Sequence, residues 1–391
     1  MLSNNDGCII ARSNEAKALG IKMGDPYFKG REVIEKNKVV VFSSNYELYG
    51  DMSSRVMQTL LLHTPLLENY SIDEAFLELE GFQNPLSHAT ELRRVVKQWT
   101  GIPVSVGVAP TKTLSKVANH IAKKRLSAIG VCGLITPEEI TAGLLEFPIG
   151  DVWGIGRQWA IFLAGHGITT AEQFRQMPDS WIRKNMHVVG LRIAWELRGI
   201  KCHELEFEPP AKKSICVSRS FSQRLTHIEQ IREALLTHTA RAGEKLRHNK
   251  LLAKRMVVFM HTSPHAQNET FHYAKLPFKL PFATNDTMEL SHYCVMALNQ
   301  LFQTGHRYMK CGLELMDIVE EGTENLDLFS ANRNPRSQAL MQALDKLNQK
   351  MGRNTVVFSC FVINRDWNTK RDLRSPRYTT DRHELFPAYA N

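Results

Sequence analysis

The stretch Tyr70-Ser71-Ile72-Asp73-Glu74-Ala75-Phe76-Leu77 constrains this chain more than any other. Two short apolar runs, about Leu66 to Ile72 and Ala75 to Leu79, meet at an adjacent pair of carboxylates. Apolar runs joined by a polar break predict two strands and a turn that displays Asp73 and Glu74 side by side. Like charges held that close repel, and each carboxylate seeks water or a cation. A Mg²⁺ ion resolves the conflict, because hard carboxylate oxygens suit it. The plainer alternative is an exposed acidic turn without a ligand, so the rest of the chain has to decide.

A chain of 391 residues is long enough for two to four domains. No run approaches the ~20 apolar residues of a membrane span, so no membrane partner is expected. The first residues, Met1 to Gly7, have neither a basic start nor an apolar run, and no signal peptide is expected. The seven cysteines are scattered without a C-x-x-C pair, which fits buried thiols in a reducing cytoplasm better than a zinc site or a disulfide framework. The net charge of +9 is unevenly spread. Between Ala211 and Asp317 there are 15 Lys and Arg against 8 Asp and Glu, a basic segment suited to a polyanion.

In chain order, Asn5-Asp6-Gly7 is a tight-turn signal, with Cys8-Ile9-Ile10-Ala11 as the strand that follows it. Ser13 can cap a helix that Gly20 ends, and Ser44 with Glu47 makes a capping-box pattern for a helix to about His63. After the acidic hairpin come a helix with Leu92, Val95, Val96 and Trp99 inward, a strand over Pro103 to Val108, and a helix from Thr111 to Arg125. In that last helix Lys112, Lys116, Asn119 and Lys123 oppose the apolar stripe. They read either as a solvated lysine face or as a basic rail for phosphates.

A small helical region opens near Pro137. Within it Val152-Trp153-Gly154-Ile155-Gly156-Arg157 runs into a helix, and Thr169 with Glu172 offers a capping box for the next. Helix, G-x-G hairpin, helix matches a helix-hairpin-helix pattern, whose glycines bare backbone N–H groups to DNA phosphate; an ordinary helical hairpin is the alternative. Pro209-Pro210 closes the region. The basic segment then begins with Lys212, Lys213 and Arg219, and mixes strand-like runs (Met256 to Met260, Cys311 to Met316) with helices over Ile228 to Arg247 and Met288 to Gln303. Beyond Val319 the periodicity fades, leaving the apolar island Asn325-Leu326-Asp327-Leu328-Phe329 and a helix from Arg336 to Lys350. The island suits either a peptide ligand for a partner's pocket or packing on its own domain.

With these pieces in order, the chain resembles the Y-family translesion DNA polymerases, in particular their UmuC-like branch. The residues that carry the likeness are Leu2 to Gly7, Glu15 to Gly20, Lys22 to Pro26, Phe42 to Tyr46, Tyr70 to Phe76, Thr111 to Leu114, Asp151 to Arg157 and the late Ser375 to Thr380. The resemblance implies an α+β multidomain fold, a right-hand arrangement of fingers to about residue 44, palm 45–135, helical thumb 136–208, little finger 211–318 and a tail 319–391.

It further implies two-Mg²⁺ transfer of a deoxynucleotide to a primer on a template, with Asp73 and Glu74 as metal ligands. Lys17, Lys123 and Lys116 would meet the incoming dNTP, with Asn14 in place of an aromatic hydroxyl common in the wider family. Gly154, Gly156, Arg157, Lys212, Lys213 and Arg219 would meet DNA. Asn325, Leu326, Leu328 and Phe329 match the Q-L-x-L-F sliding-clamp motif with Asn for Gln. A processed UmuD-type dimer and RecA filaments of the SOS response are implied as partners. Family members also open with a strand that bears a further metal-binding Asp, a segment that would precede Leu2. The expectation is therefore that residues 1–391 polymerise poorly or not at all; the alternative is a truncated, non-catalytic DNA- and clamp-binding protein.

Overall fold

The computed structural model describes all residues except 65, 209–210, 267–268, 324–334, 353, 359–366, 368–369 and 388–391. The chain folds as two compact units, one of Met1–Ser44 with Pro210–Ser375, the other of Asn45–Pro209 with Pro376–Asn391. The clamp-motif residues Asn325, Leu326, Leu328 and Phe329, and the Pro209-Pro210 break, lie outside the described residues.

At the start of the first unit Asn5 and Asp6 both adopt positive φ, the backbone that a tight hairpin turn requires. The Ser3 N–H donates to the Cys8 carbonyl at 2.8 Å and Leu2 pairs antiparallel with Ile9. Two short helices follow, α1 (Asn14–Ala18) and α2 (Tyr27–Lys36). Leu2 also pairs in parallel with Ser43, and Ser43 with Arg374, so the tail continues this small ladder. Leu2, Ile9 and Ile34 form its buried core.

In the second unit α3 (Tyr46–Leu61) is capped by Asn45, whose side chain accepts from the Leu48 N–H, and not by the Ser44/Glu47 pair. Ser44 is buried and donates instead to the Leu2 carbonyl. Then come β1 (Leu67–Asn69), β2 (Ala75–Leu77), α4 (Pro85–Thr100), β3 (Val106–Val108), α5 (Lys112–Lys124) and β4 (Val131–Gly133). β1 and β2 are antiparallel, β3 and β4 parallel. β3 runs so close to α5 that a Cβ on Gly107 would lie 2.2 Å from the Ser115 carbonyl oxygen; only glycine fits.

The helices α6 (Pro137–Leu145), α7 (Arg157–Gly165), α8 (Ala171–Arg175) and α9 (Asp179–Leu197) close this unit. Leu114, Leu144, Leu163, Phe174, Ile182 and Leu197, all fully buried, join them to α5 in one core. The capping box of α8 is Thr170 with Gln173, one residue later than the sequence pattern placed it. Glu172 is unavailable for that role because it is buried in an ion pair with Arg175 at 2.8 Å.

The basic segment forms a four-stranded antiparallel sheet, ordered β5 (Ser214–Leu225), β8 (Tyr308–Glu320), β6 (Leu251–Thr262), β7 (Tyr273–Thr284), with α10 (Ile228–His248) and α11 (Thr287–Leu301) packed on it. Its core includes Phe221, Leu235, Met256, Leu298, Tyr308 and Trp367. The sequence reading did not single out β7, whose Pro277 and Pro281 interrupt a strand pattern. Here β7 is an edge strand, where proline is tolerated, and Pro281 falls at the register shift of its pairing with β6; Lys275 and Lys279 on its exposed positions guard that edge. The tail helix α12 (Pro335–Met351) docks through Met341, which is buried, and a two-pronged Arg247–Asp345 ion pair at 2.6 and 2.8 Å.

Asn5 joins three segments of this unit. Its side-chain amide donates to the Ser220 and Phe221 carbonyls at 3.1 and 3.2 Å and accepts from the Lys370 N–H at 3.1 Å. Asn5→Ala leaves all three without this partner and will destabilise the protein by about 1–3 kcal/mol, readable as a lowered thermal midpoint. An unchanged midpoint would show the junction to be dispensable.

Candidate active site

β1 and β2 pair with Asn69 opposite Ala75, and the Ser71 N–H donates to the Glu74 carbonyl at 3.0 Å, which closes a tight turn. Inside it the Ser71 hydroxyl donates to Asp73 Oδ1 at 2.7 Å and accepts from the Asp73 N–H at 3.3 Å. Both acids are exposed, as the hairpin pattern predicts. Both lie in the turn that joins β1 to β2, which the Ser71–Glu74 backbone bond and the Ser71 hydroxyl hold closed.

Glu74 has a partner. Lys116 Nζ lies 3.1 and 3.0 Å from its two carboxylate oxygens. The same ammonium sits over three rings, 4.6 Å from the centre of Tyr70, 5.6 Å from Trp153 and 5.8 Å from Phe76. Those rings lock one another. Trp153 Nε1–H donates to the Tyr70 hydroxyl at 3.0 Å, and Tyr70 meets Trp153 edge-on at 5.8 Å and Phe76 at 5.4 Å.

One turn earlier on α5, Lys112 is buried against Glu68 in an ion pair, and its ammonium also donates to the Glu204 carbonyl at 2.6 Å. Glu68 Oε2 accepts the Glu206 N–H at 2.9 Å, so this pair is supplied with the further hydrogen bonds a buried charge needs. The predicted lysine face is therefore not uniformly solvated: Lys112 and Lys116 are enclosed, whereas Lys123 is exposed. At the other end of α5, His120 faces Asp151 at 3.9 Å; burial and the nearby Lys124 ammonium push its imidazole below the usual histidine range.

The position of α5 is set by Glu196, a fully buried carboxylate near the end of α9. It accepts the Thr113 N–H at 2.9 Å, the Cys202 N–H at 2.7 Å and the His203 N–H at 3.2 Å. The Thr111 hydroxyl donates to its backbone carbonyl at 2.9 Å. A negative charge at the start of α5 also suits the helix dipole.

The structure thus brings Asp73, Glu74 and Lys116 together. Sequence reasoning missed Glu68, Trp153 and Glu196. A lone glutamate at a core-facing strand position signalled the first; nothing local signals that Glu196 reaches the start of another helix. Gly154 has φ 92 and lies against Ile193, and Gly156 is the N-cap of α7, where no side chain caps the helix and Arg157 is exposed. In the other unit Lys17 donates to Asn14 Oδ1 at 3.1 Å on α1, and Lys212, Lys213 and Arg219 are exposed at and before β5.

The acidic pair offers hard oxygen donors, and a lysine ammonium already balances one of them. Among the described residues no cluster of three or more His, Cys, Asp or Glu gathers that could hold a metal. Mg²⁺ is commonly held by one or two carboxylates with waters and substrate phosphates, so the pair fits a hard divalent cation. Among the described residues no helix is long and apolar enough to cross a membrane.

Residues 1–120 match the model of the impB/mucB/samB family, and residues 212–328 that family's C-terminal domain. UmuC of Salmonella typhimurium is 43% identical over 98% of this chain and 92% of its own length. The chain belongs to the impB/mucB/samB family, the UmuC-type Y-family DNA polymerases. ImpB of Salmonella typhimurium is 41% identical over 97% of the chain and 91% of its own length. DNA polymerase IV 1 of Bacillus subtilis is 24% identical over 88% and 82%. A Y-family polymerase chimera assembled from Dbh and Dpo4 superposes with a TM-score of 0.62 at 20% identity, over 81% of this chain and 88% of its own, which supports the fold. Residues 338–388 match a domain of unknown function, DUF4113. By family the protein is a DNA-directed DNA polymerase, an activity that uses a divalent metal, DNA and nucleotides.

Proposed function

We propose that this protein performs translesion DNA synthesis, adding deoxynucleotides to a primer opposite damaged template, with Asp73 and Glu74 as ligands of catalytic Mg²⁺. The observation that carries this reading is the paired acids at a hairpin turn, one of them balanced by the Lys116 ammonium. A divalent cation held by Asp73 and Glu74 would supply the Lewis-acid charge stabilisation that phosphoryl transfer needs. Asp73 and Glu74 present hard oxygens from the closed turn between β1 and β2, and Ser71 orients Asp73 by donating to it.

Lys17, Lys116 and Lys123 neutralise triphosphate charge, Gly154 and Gly156 open a helix start to DNA phosphate, and Arg157, Lys212, Lys213 and Arg219 add cations along the duplex. We assign fingers, palm, thumb, little finger and tail to 1–44, 45–135, 136–208, 211–318 and 319–391. Contact with the sliding clamp through Asn325, Leu326, Leu328 and Phe329, a processed UmuD-type dimer, RecA filaments and an SOS setting in the cytoplasm rest on the family resemblance.

The test is Mn²⁺ binding and lesion-template primer extension by the protein and its Asp73→Asn and Glu74→Gln variants. Each change should weaken Mn²⁺ binding at least about tenfold, a difference of about 1.4 kcal/mol, without lowering thermal stability, and should abolish whatever extension the parent shows, which residues 1–391 are expected to perform poorly. Variants that bind Mn²⁺ as the parent does would end the assignment. DNA binding without extension by the parent would favour the non-catalytic alternative.

A further inference from the structure

Lys112 and Lys116 stand one turn apart on α5, each with its own carboxylate, but in opposite environments. The Lys112–Glu68 pair is enclosed on both sides, with side chains 9% and 7% exposed, and is a fixture of the fold. The Lys116–Glu74 pair is asymmetric. The lysine is 20% exposed and the glutamate 44%, so solvent and ions reach the acid while the ammonium is held from behind.

What holds it is three rings from three separate segments: Tyr70 before the turn, Phe76 in β2 and Trp153 in the loop before α7. An unrestrained lysine would keep its rotamer freedom and its hydration. Here the rings and the carboxylate together fix it, and cation–π contact is the attraction that three electron-rich faces provide to an ammonium. His203 meets Trp153 edge-on at 5.6 Å and adds a further contact to the arrangement.

We propose that the Lys116 ammonium is a resident counter-cation of the acidic pair, clamped on Glu74 by Tyr70, Phe76 and Trp153, and that a divalent cation binds there only by displacing it. The lysine is then a positioning residue that sets the affinity of the metal site before any nucleotide arrives, and Trp153 makes that setting depend on the loop leading into Gly154 and Gly156. This inference rests on the assignment of Asp73 and Glu74 as metal ligands.

The test is Mn²⁺ binding to the full chain, followed by the spectrum of free Mn²⁺ in the absence of DNA and nucleotide. Lys116→Met removes a unit charge about 3 Å from Glu74 and should tighten Mn²⁺ binding about five- to tenfold. Trp153→Ala loosens the clamp and should tighten it about two- to fivefold, with Trp153→Phe between Ala and the parent. Binding seen only in Lys116→Met supports the proposal; binding in neither protein overturns it. A Lys116→Met affinity equal to or weaker than the parent's also overturns it, and would leave Lys116 a nucleotide ligand only. The Asp73→Asn/Glu74→Gln double variant separates the two readings. If it loses Mn²⁺ while Lys116→Met is unchanged, only the counter-cation idea fails; if it binds as the parent does, the site itself fails.

Discussion

Glu196→Ala will lower the unfolding free energy by about 3–5 kcal/mol. The substitution strips three N–H groups of their common acceptor: that of Thr113, which is buried, and those of Cys202 and His203, which are half-buried. Each unsatisfied donor costs about 1–3 kcal/mol, and bonds to a charged acceptor lie at the upper end. Water cannot readily repair the loss, because Glu196 and Thr113 are 0% and 1% exposed. Against a typical domain stability of about 5–15 kcal/mol the effect is large. Glu196→Gln keeps one acceptor oxygen but turns an N–H₂ toward a donor, so it should fall between alanine and the parent. Urea unfolding reads both as a lowered midpoint with an unchanged slope; a midpoint shift worth less than about 0.5 kcal/mol for alanine would refute the account. Because α5 carries Lys112 and Lys116, the same variant should also weaken the grip of Lys116 on Glu74.

The second large effect is acid instability centred on His238. This residue lies within α10, is 4% exposed and meets Trp367 edge-on at 5.7 Å. Burial, aided by the Arg219 charge, pushes its imidazole down to about 4. The unfolded chain takes up this proton near 6.5, the folded protein only near 4. The stability contribution of the neutral, buried ring is thus intact above about pH 6.5 and is lost as the pH falls toward 4. A shift of that size amounts to about 3 kcal/mol in full, and roughly 2 kcal/mol at pH 5. Thermal unfolding followed from pH 7 to 4.5 should show a steep fall in the parent and a shallower one in His238→Phe, whose ring has no proton to take up. Parallel curves for the two proteins would remove His238 as the cause.

Much of the site could be read from the chain. The acidic hairpin, the lysines of α5 and the glycines before α7 carried local signatures: an apolar run broken by two acids, a 3.6-residue stripe, a G-x-G after a helical stretch. Such signals are legible because they report what a segment must do with its own backbone and its own apolar face. Even so, neighbouring positions compete, and the caps at Asn45 and Thr170 were each displaced by one residue from the sequence expectation. In each case the residue passed over was taken up elsewhere, Ser44 by the distant Leu2 carbonyl and the buried Glu172 by Arg175 on its own helix.

By itself the sequence determined which family this chain belongs to, where the paired carboxylates fall and which helix bears the lysines, since each follows from residue order and period. Tertiary structure alone decided the partners. That Lys112 has Glu68, that Lys116 is caged over three rings against Glu74, and that Glu196 anchors the start of α5 are contacts between residues 37 to 83 positions apart. No local pattern encodes such pairs, because their energy comes from excluding water between segments that meet only when the chain is folded.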